Sequence, residues 1–193
     1  MEIVKKYKKC LIIVDMVNGF VREGVVHDER IAKVIPRQLE IIDKAKQEGA
    51  LIVIVKDTHH KGSAEFERFG ETEHCLENTS ECELVEELIP LENEGDVVVV
   101  TKNSTSFMEA PSFRRLMKEQ TDMNEFDIIG CCTDICVVNG SLGLANFLDE
   151  HDRRHIIRVH EDAIATYSEE ERQDYVHSAK LLMAQQGMQL VKK

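Results

Sequence analysis

The sequence predicts an α/β fold: one domain over residues 1–193, with a mostly parallel six-stranded sheet and helices on both faces in three layers. Three observations predict it. Short runs rich in β-branched residues alternate along the chain with segments of helical periodicity, the pattern of successive βαβ units. The runs at 10–14, 50–55 and 96–101 are apolar nearly throughout, as strands covered on both faces require. No linker, internal repeat or low-complexity stretch divides the 193 residues, a length that buries a substantial core without staples.

Taken in order, the first strand at 10–14 runs into Asp15. Residues 28–49 read as a helix with Ile31, Val34, Ile35, Leu39, Ile42 and Ala45 on its apolar face and Gly49 as its stop. Pro36 should kink or divide it. The second strand, 50–55, runs into Asp57. An irregular polar segment follows and holds three of the eight histidines, His59, His60 and His74. Residues 81–88 suit a short helix. The third strand, 96–101, ends at Lys102, and a helix near 112–119 comes next. A short buried strand at 126–129 then meets a tight turn at Gly130. A helix begins at about Asp134, and Thr133 or Asp134 can cap its free N–H groups. Ile135, Val138, Leu142, Ala145 and Leu148 repeat at helical spacing and give that helix a core face. Residues 155–159 form a fifth strand. Ser168 with Glu171 is a capping-box signature for a helix reaching about Gln186, and 188–191 is the sixth strand.

Composition narrows the function. A net charge of −12 argues against nucleic acid, whose binders cluster Lys and Arg to replace counterions. The acidic run at 81–94 reads as a solvated surface. The N-terminal residues are too polar for a signal peptide and no apolar run reaches membrane-span length, so a cytoplasmic protein that does not engage membranes is expected. Six cysteines without a secretory signal point to reduced thiols. No C-x-x-C pair occurs, which disfavours a thioredoxin-like centre or a structural zinc knuckle.

Function enters through convergence. In a parallel sheet Asp15, Asp57, Lys102 and Cys136 all emerge at the carboxyl edge, where ligands bind in open α/β sheets. A cysteine near a helix start is most often a small core residue, and a strand-end carboxylate is most often a cap. Four chemically potent residues at successive strand ends exceed what capping explains. Cys136 falls in the first helical turn, where free N–H groups and the helix dipole favour a thiolate. Lys102 favours the thiolate by charge, and Asp15 can take and return its proton. A turn before Cys136 can aim N–H groups at a tetrahedral oxyanion. This set suits hydrolysis of an amide or related acyl bond. Separately, Asp57 and His59, with Glu67 and His74 following, offer carboxylate and imidazole donors suited to zinc or another divalent transition metal.

The ordered set of Asp15 with Phe20, Asp57-x-His59, His74-Cys75, Lys102 and Gly130-x-x-Thr-Asp-x-Cys136 resembles the isochorismatase-like cysteine hydrolases, a Rossmann-like three-layer family, over nearly the whole chain. Within that family it is most similar to the nicotinamidases (pyrazinamidases). The resemblance implies an Asp15–Lys102–Cys136 triad, a cis peptide joining Cys131 to Cys132, and an oxyanion hole made by the N–H groups of Cys132 and Cys136. It implies metal ligands at Asp57, His59 and His74, with Glu67 at the spacing of a fourth. Phe20 matches a pocket aromatic. The implied reaction converts nicotinamide to nicotinate and ammonia in pyridine nucleotide (NAD) salvage, with zinc as the first expectation and iron or manganese as alternatives. The alternative is a metal-free relative acting on an acyclic amide or carbamoyl compound. The expected partners are the small amide substrate and further copies of the chain. The sequence departs from the nicotinamidases at Glu71-Thr72-Glu73, where an aromatic-Pro pair is usual, and in the loop after Lys102, where an aromatic is usual. Phe66, Phe69 or Phe107 would then have to supply an aromatic wall.

Overall fold

The computed structural model describes residues 5–193 except Phe69 and Glu71. Six strands, β1 (Lys9–Val14), β2 (Leu51–Asp57), β3 (Val97–Lys102), β4 (Glu125–Cys131), β5 (Ile156–Ala165) and β6 (Gln189–Val191), form one sheet in the order β3-β2-β1-β4-β5-β6. Every neighbouring pair is parallel. The central strand β1 shows why the apolar runs are unbroken. Cys10, Ile12 and Val14 enter one core layer while Leu11 and Ile13 enter the other. Each isoleucine so buried contributes roughly 1.5–3 kcal/mol relative to exposure.

The helices complete the layers: α1 (Asn18–Val21), α2 (Ile35–Gln47), α3 (Ala64–Arg68), α4 (Pro111–Glu119), α5 (Val138–Glu150) and α6 (Gln173–Gln185). Phe113 and Leu116 of α4, Leu144 and Leu148 of α5 and Met183 of α6 cover one sheet face. Ile35, Ile41 and Ile42 of α2, with Ile31 ahead of it, cover the other. The strand order reverses direction between β1 and β4, and there the chain leaves both strands at their carboxyl ends. That crevice is where an open α/β sheet takes a ligand. No helix among the described residues is long and apolar enough to cross a membrane.

Several local expectations are corrected. Pro36 does divide the 28–49 segment: a 3-10 helix, Glu29–Val34, precedes α2, which carries the proline in its first turn, where a missing N–H costs nothing. Residues 81–88 are not a helix. One 3-10 turn (Ser80–Cys82) gives way to extended backbone, because Leu84, Val85 and Leu88 are all buried and the main chain pairs elsewhere. Asn18 N–H donates to Glu83 O (2.8 Å) and Val85 N–H to Met16 O (3.1 Å). Gly130 lies within β4 rather than in a turn. Its φ is +126°, and a Cβ there would stand 2.1 Å from Val14 O, so close packing against β1 demands glycine. After β4 a single π-helical turn, Thr133–Val137, precedes α5. Neither Thr133 nor Asp134 caps it by side chain; Cys132 holds the N-cap position. The box at Ser168 and Glu171 does not open α6, which starts at Gln173 with no side-chain cap.

Candidate active site

Asp15 directly follows β1 and takes a φ of +50°, a left-handed conformation that aspartate tolerates better than most residues. Two bonds hold it there: its N–H donates to Val55 O (3.0 Å), and Cys131 Sγ donates to its carbonyl (3.0 Å). Asp57 and Lys102 end β2 and β3 and face each other in register. Strand pairing therefore brings together residues 45 apart in sequence.

Lys102 is the hub. Its Nζ donates to Asp57 Oδ1 (2.6 Å), lies 2.8 Å from Asp15 Oδ2 in an ion pair, and donates to Cys136 Sγ at 3.5 Å. Asp15, Asp57, Lys102 and Cys136 are 0, 1, 3 and 5 % exposed. Both Asp15 carboxylate oxygens are buried and carry no aligned hydrogen bond, which leaves them open to a proton. The peptide joining Cys131 to Cys132 is cis. Cys136 sits in the π-helical turn, among the first N–H groups, which have no partner within the helix.

Burial decides the protonation states. It pushes the Asp15 carboxyl up to about 7, against the pull of Lys102 and with the push of Asp57. Burial likewise drives the Cys136 thiol well above its usual value; Lys102 opposes this, but Asp15 and Asp57 reinforce it. The sequence pointed to a resting thiolate, whereas the burial of Cys136 beside two carboxylates favours the thiol. For Asp57 burial is outweighed by Lys102 and by hydrogen bonds with His59 and His74, which hold its carboxyl below the ordinary range. Lys102 stays charged despite burial, because Asp15 and Asp57 outweigh the desolvation.

A second group adjoins the first. The ligand atoms of Asp57, His59 and His74 all lie within 4.8 Å of one another, and all three residues are buried. His59 Nδ1 donates to Asn103 Oδ1 (2.7 Å), which also accepts from Ser63 Oγ (2.8 Å); His74 Nδ1 donates to Thr72 O (2.9 Å). Each neutral ring therefore turns Nε2 inward, at 3.0 and 3.5 Å from Asp57 Oδ2. Two imidazole lone pairs facing one carboxylate need a cation between them, a proton or a metal. Rings oriented by outer hydrogen bonds are the usual device of metal ligands. The donor set fits a divalent transition metal.

Both groups open on a cavity of about 220 Å³ lined by Phe20, Asp57, Glu65, His74, Cys136 and Tyr167, among others. Phe66 packs behind the histidines, with ring centroids 4.9 Å from His59 and 5.3 Å from His74. Phe107 is buried against Gly140 and does not line the cavity. Phe69 and Glu71 lie outside the described residues. Glu67 is not brought to the cluster: it is exposed, while Glu65 of the same short helix is buried at the cavity. Sequence reasoning missed Glu65, Asn103 and Tyr167. Asn103 was within reach, since it follows Lys102 at a strand end; nothing local separates Glu65 from Glu67.

A sequence profile of the isochorismatase domain matches residues 9–188. The chain belongs to the isochorismatase family. Solved structures agree with the fold of this isochorismatase-family hydrolase. A pyrazinamidase/nicotinamidase of Streptococcus mutans superimposes with a TM-score of 0.79 at 21% identity, covering 95% of this chain and 99% of that one. The pyrazinamidase of Pyrococcus horikoshii, solved in complex with zinc, gives 0.75 at 24% identity over 96% and 99% of the two chains. An N-carbamoylsarcosine amidase of Thermoplasma acidophilum also gives 0.75, at 23% identity over 96% of each.

Proposed function

We propose that this isochorismatase-family hydrolase is a metal-dependent amidohydrolase that converts nicotinamide to nicotinate and ammonia through a thioester on Cys136. One observation carries this reading: Lys102 bonds at once to Asp57 of the histidine cluster and to the Cys136 thiol, so both groups face one small cavity. A site of that size suits a single-ring amide better than a drug-sized ligand.

Asp15 takes the Cys136 proton as sulfur attacks the amide carbon, and Lys102 offsets the negative charge that appears. The N–H groups of Cys132 and Cys136 receive the oxyanion. Asp15 then delivers its proton to the departing nitrogen, which leaves as ammonia. In the second half Asp15 takes a proton from water, whose oxygen attacks the thioester, and returns it to sulfur as the acid departs. A carboxyl that titrates at about 7 is suited to both directions. Asp57, His59 and His74 would hold a divalent metal, zinc first, which when bound supplies a Lewis acid for the pyridine nitrogen. Phe20 flanks the ring.

Ammonia release from metal-loaded protein tests the reading. Nicotinamide should turn over far faster than benzamide, which lacks the ring nitrogen, and His59→Ala and His74→Ala should each lose metal and activity together. Equal rates on the two amides would sink the metal-orientation idea. The likeness to the N-carbamoylsarcosine amidase favours a second reading, a carbamoyl or acyclic amide hydrolase, and full activity in metal-free protein on such a substrate would select it.

A further inference from the structure

The buried charge at the cavity does not balance. Asp15, Asp57 and Glu65 are buried carboxylates, and Lys102 is the single buried ammonium beside them. Glu65 is the unexplained member. Its side chain is 7 % exposed, its Oε2 is buried without a hydrogen-bond partner, and its Oε1 lies 3.8 Å from His59 Nε2, too far for a hydrogen bond. The other nearby charge is Arg68 on the exposed side, 3.9 Å from Oε2. Leaving a carboxylate in such a place is costly unless a cation compensates it. Three negative charges against one positive leave a surplus of two, the charge of a divalent ion.

We propose that Glu65, and not Glu67, is the fourth, charge-balancing carboxylate of the metal site made by Asp57, His59 and His74. This rests on the metal-dependent reading above. Glu65 lines the same cavity as Asp57 and His74 and adjoins His59, whereas Glu67 on the same helix points its carboxylate into solvent. A site of three residues with one carboxylate would carry excess positive charge once loaded; Glu65 with Asp15, Asp57 and Lys102 brings it to neutrality. A neutral loaded site suits an uncharged amide.

Zinc titration of metal-stripped protein against a chromophoric chelator tests this, alongside thermal melts with and without zinc. Glu65→Gln should weaken zinc binding by about 10–100-fold, Glu67→Gln should leave it unchanged, and His59→Ala should abolish it. In stripped protein Glu65→Gln should melt at the wild-type temperature or above, since it removes an uncompensated buried charge. In zinc it should lose part of the wild-type gain. A merely structural role would lower both melts. Wild-type zinc affinity in Glu65→Gln, with His59→Ala defective, overturns the proposal, as does a loss in Glu67→Gln alone. If Glu65→Gln fails to fold, Glu65→Asp should bind zinc more weakly than wild type, and wild-type affinity there overturns it equally. Absence of zinc binding by the wild type would instead defeat the metal-dependent reading itself.

Discussion

Lys102 Nζ donates to Asp57 Oδ1 at 2.6 Å, so the lysine expected to serve the nucleophile is also bound to the carboxylate of the histidine cluster. The bond joins two groups that the sequence presents separately. Replacing Lys102 by alanine leaves Asp15 and Asp57 buried without their ammonium. Stability should fall by about 3–5 kcal/mol, as when one partner of a buried pair is removed. Urea denaturation of Lys102→Ala measures it, and a loss below 1 kcal/mol would mean that water or a bound cation already screens the carboxylates.

Cys136→Ala should reduce ammonia release by about 10⁴-fold or more while the fold stays intact by circular dichroism. Cys132→Ala should be far milder, because the mechanism uses only its N–H. A large loss in Cys132→Ala alone would assign its thiol, which also lines the cavity, a direct part in the chemistry.

The acid limb of kcat/KM should report Asp15. Its carboxyl is raised by burial to about 7, so it is protonated, and unable to accept the thiol proton, below that pH. Activity should therefore rise with pH and level off above about 8, falling about tenfold per unit on the acid side. Asp15→Asn should abolish turnover. A flat profile between pH 5.5 and 8 in active protein would remove Asp15 as the base. The raised thiol of Cys136 also implies slow iodoacetamide labelling at pH 7 that quickens only in alkaline buffer.

Arg172 should matter to the nucleophile's turn without touching substrate. Its Nε and Nη2 hold the fully buried carboxylate of Asp134 at 2.8 and 2.6 Å, Thr166 Oγ1 donates to the same carboxylate at 2.7 Å, and the guanidinium lies 4.7 Å over the ring of Tyr167. Arg172→Met should cost about 1–3 kcal/mol in urea unfolding and lower kcat more than it raises KM. Arg172→Lys should restore part of both. If kcat is untouched while stability falls, the latch fixes the fold only.

How far the sequence reached follows from what each element depends on. The strands were legible because a strand covered on both faces needs an apolar run, and that is a local property. Asp15, Asp57, Lys102 and Cys136 were legible because parallel strands place their carboxyl ends along one edge. The resemblance to the family added the cis peptide between Cys131 and Cys132. What escaped depended on partners distant in sequence. Residues 81–88 carry a helical pattern, but their main chain pairs with Met16 and Asn18. Asp134 carries the side chain of a cap, yet Arg172 and Thr166, 38 and 32 residues away, claim it. Glu65 and Glu67 are the same residue type two positions apart, and only the seating of one turn of helix buries the first and exposes the second. The thiol state of Cys136 likewise needed the tertiary structure. The charges near it were readable from the chain, but the desolvation that outweighs Lys102 exists only once the site is closed around it.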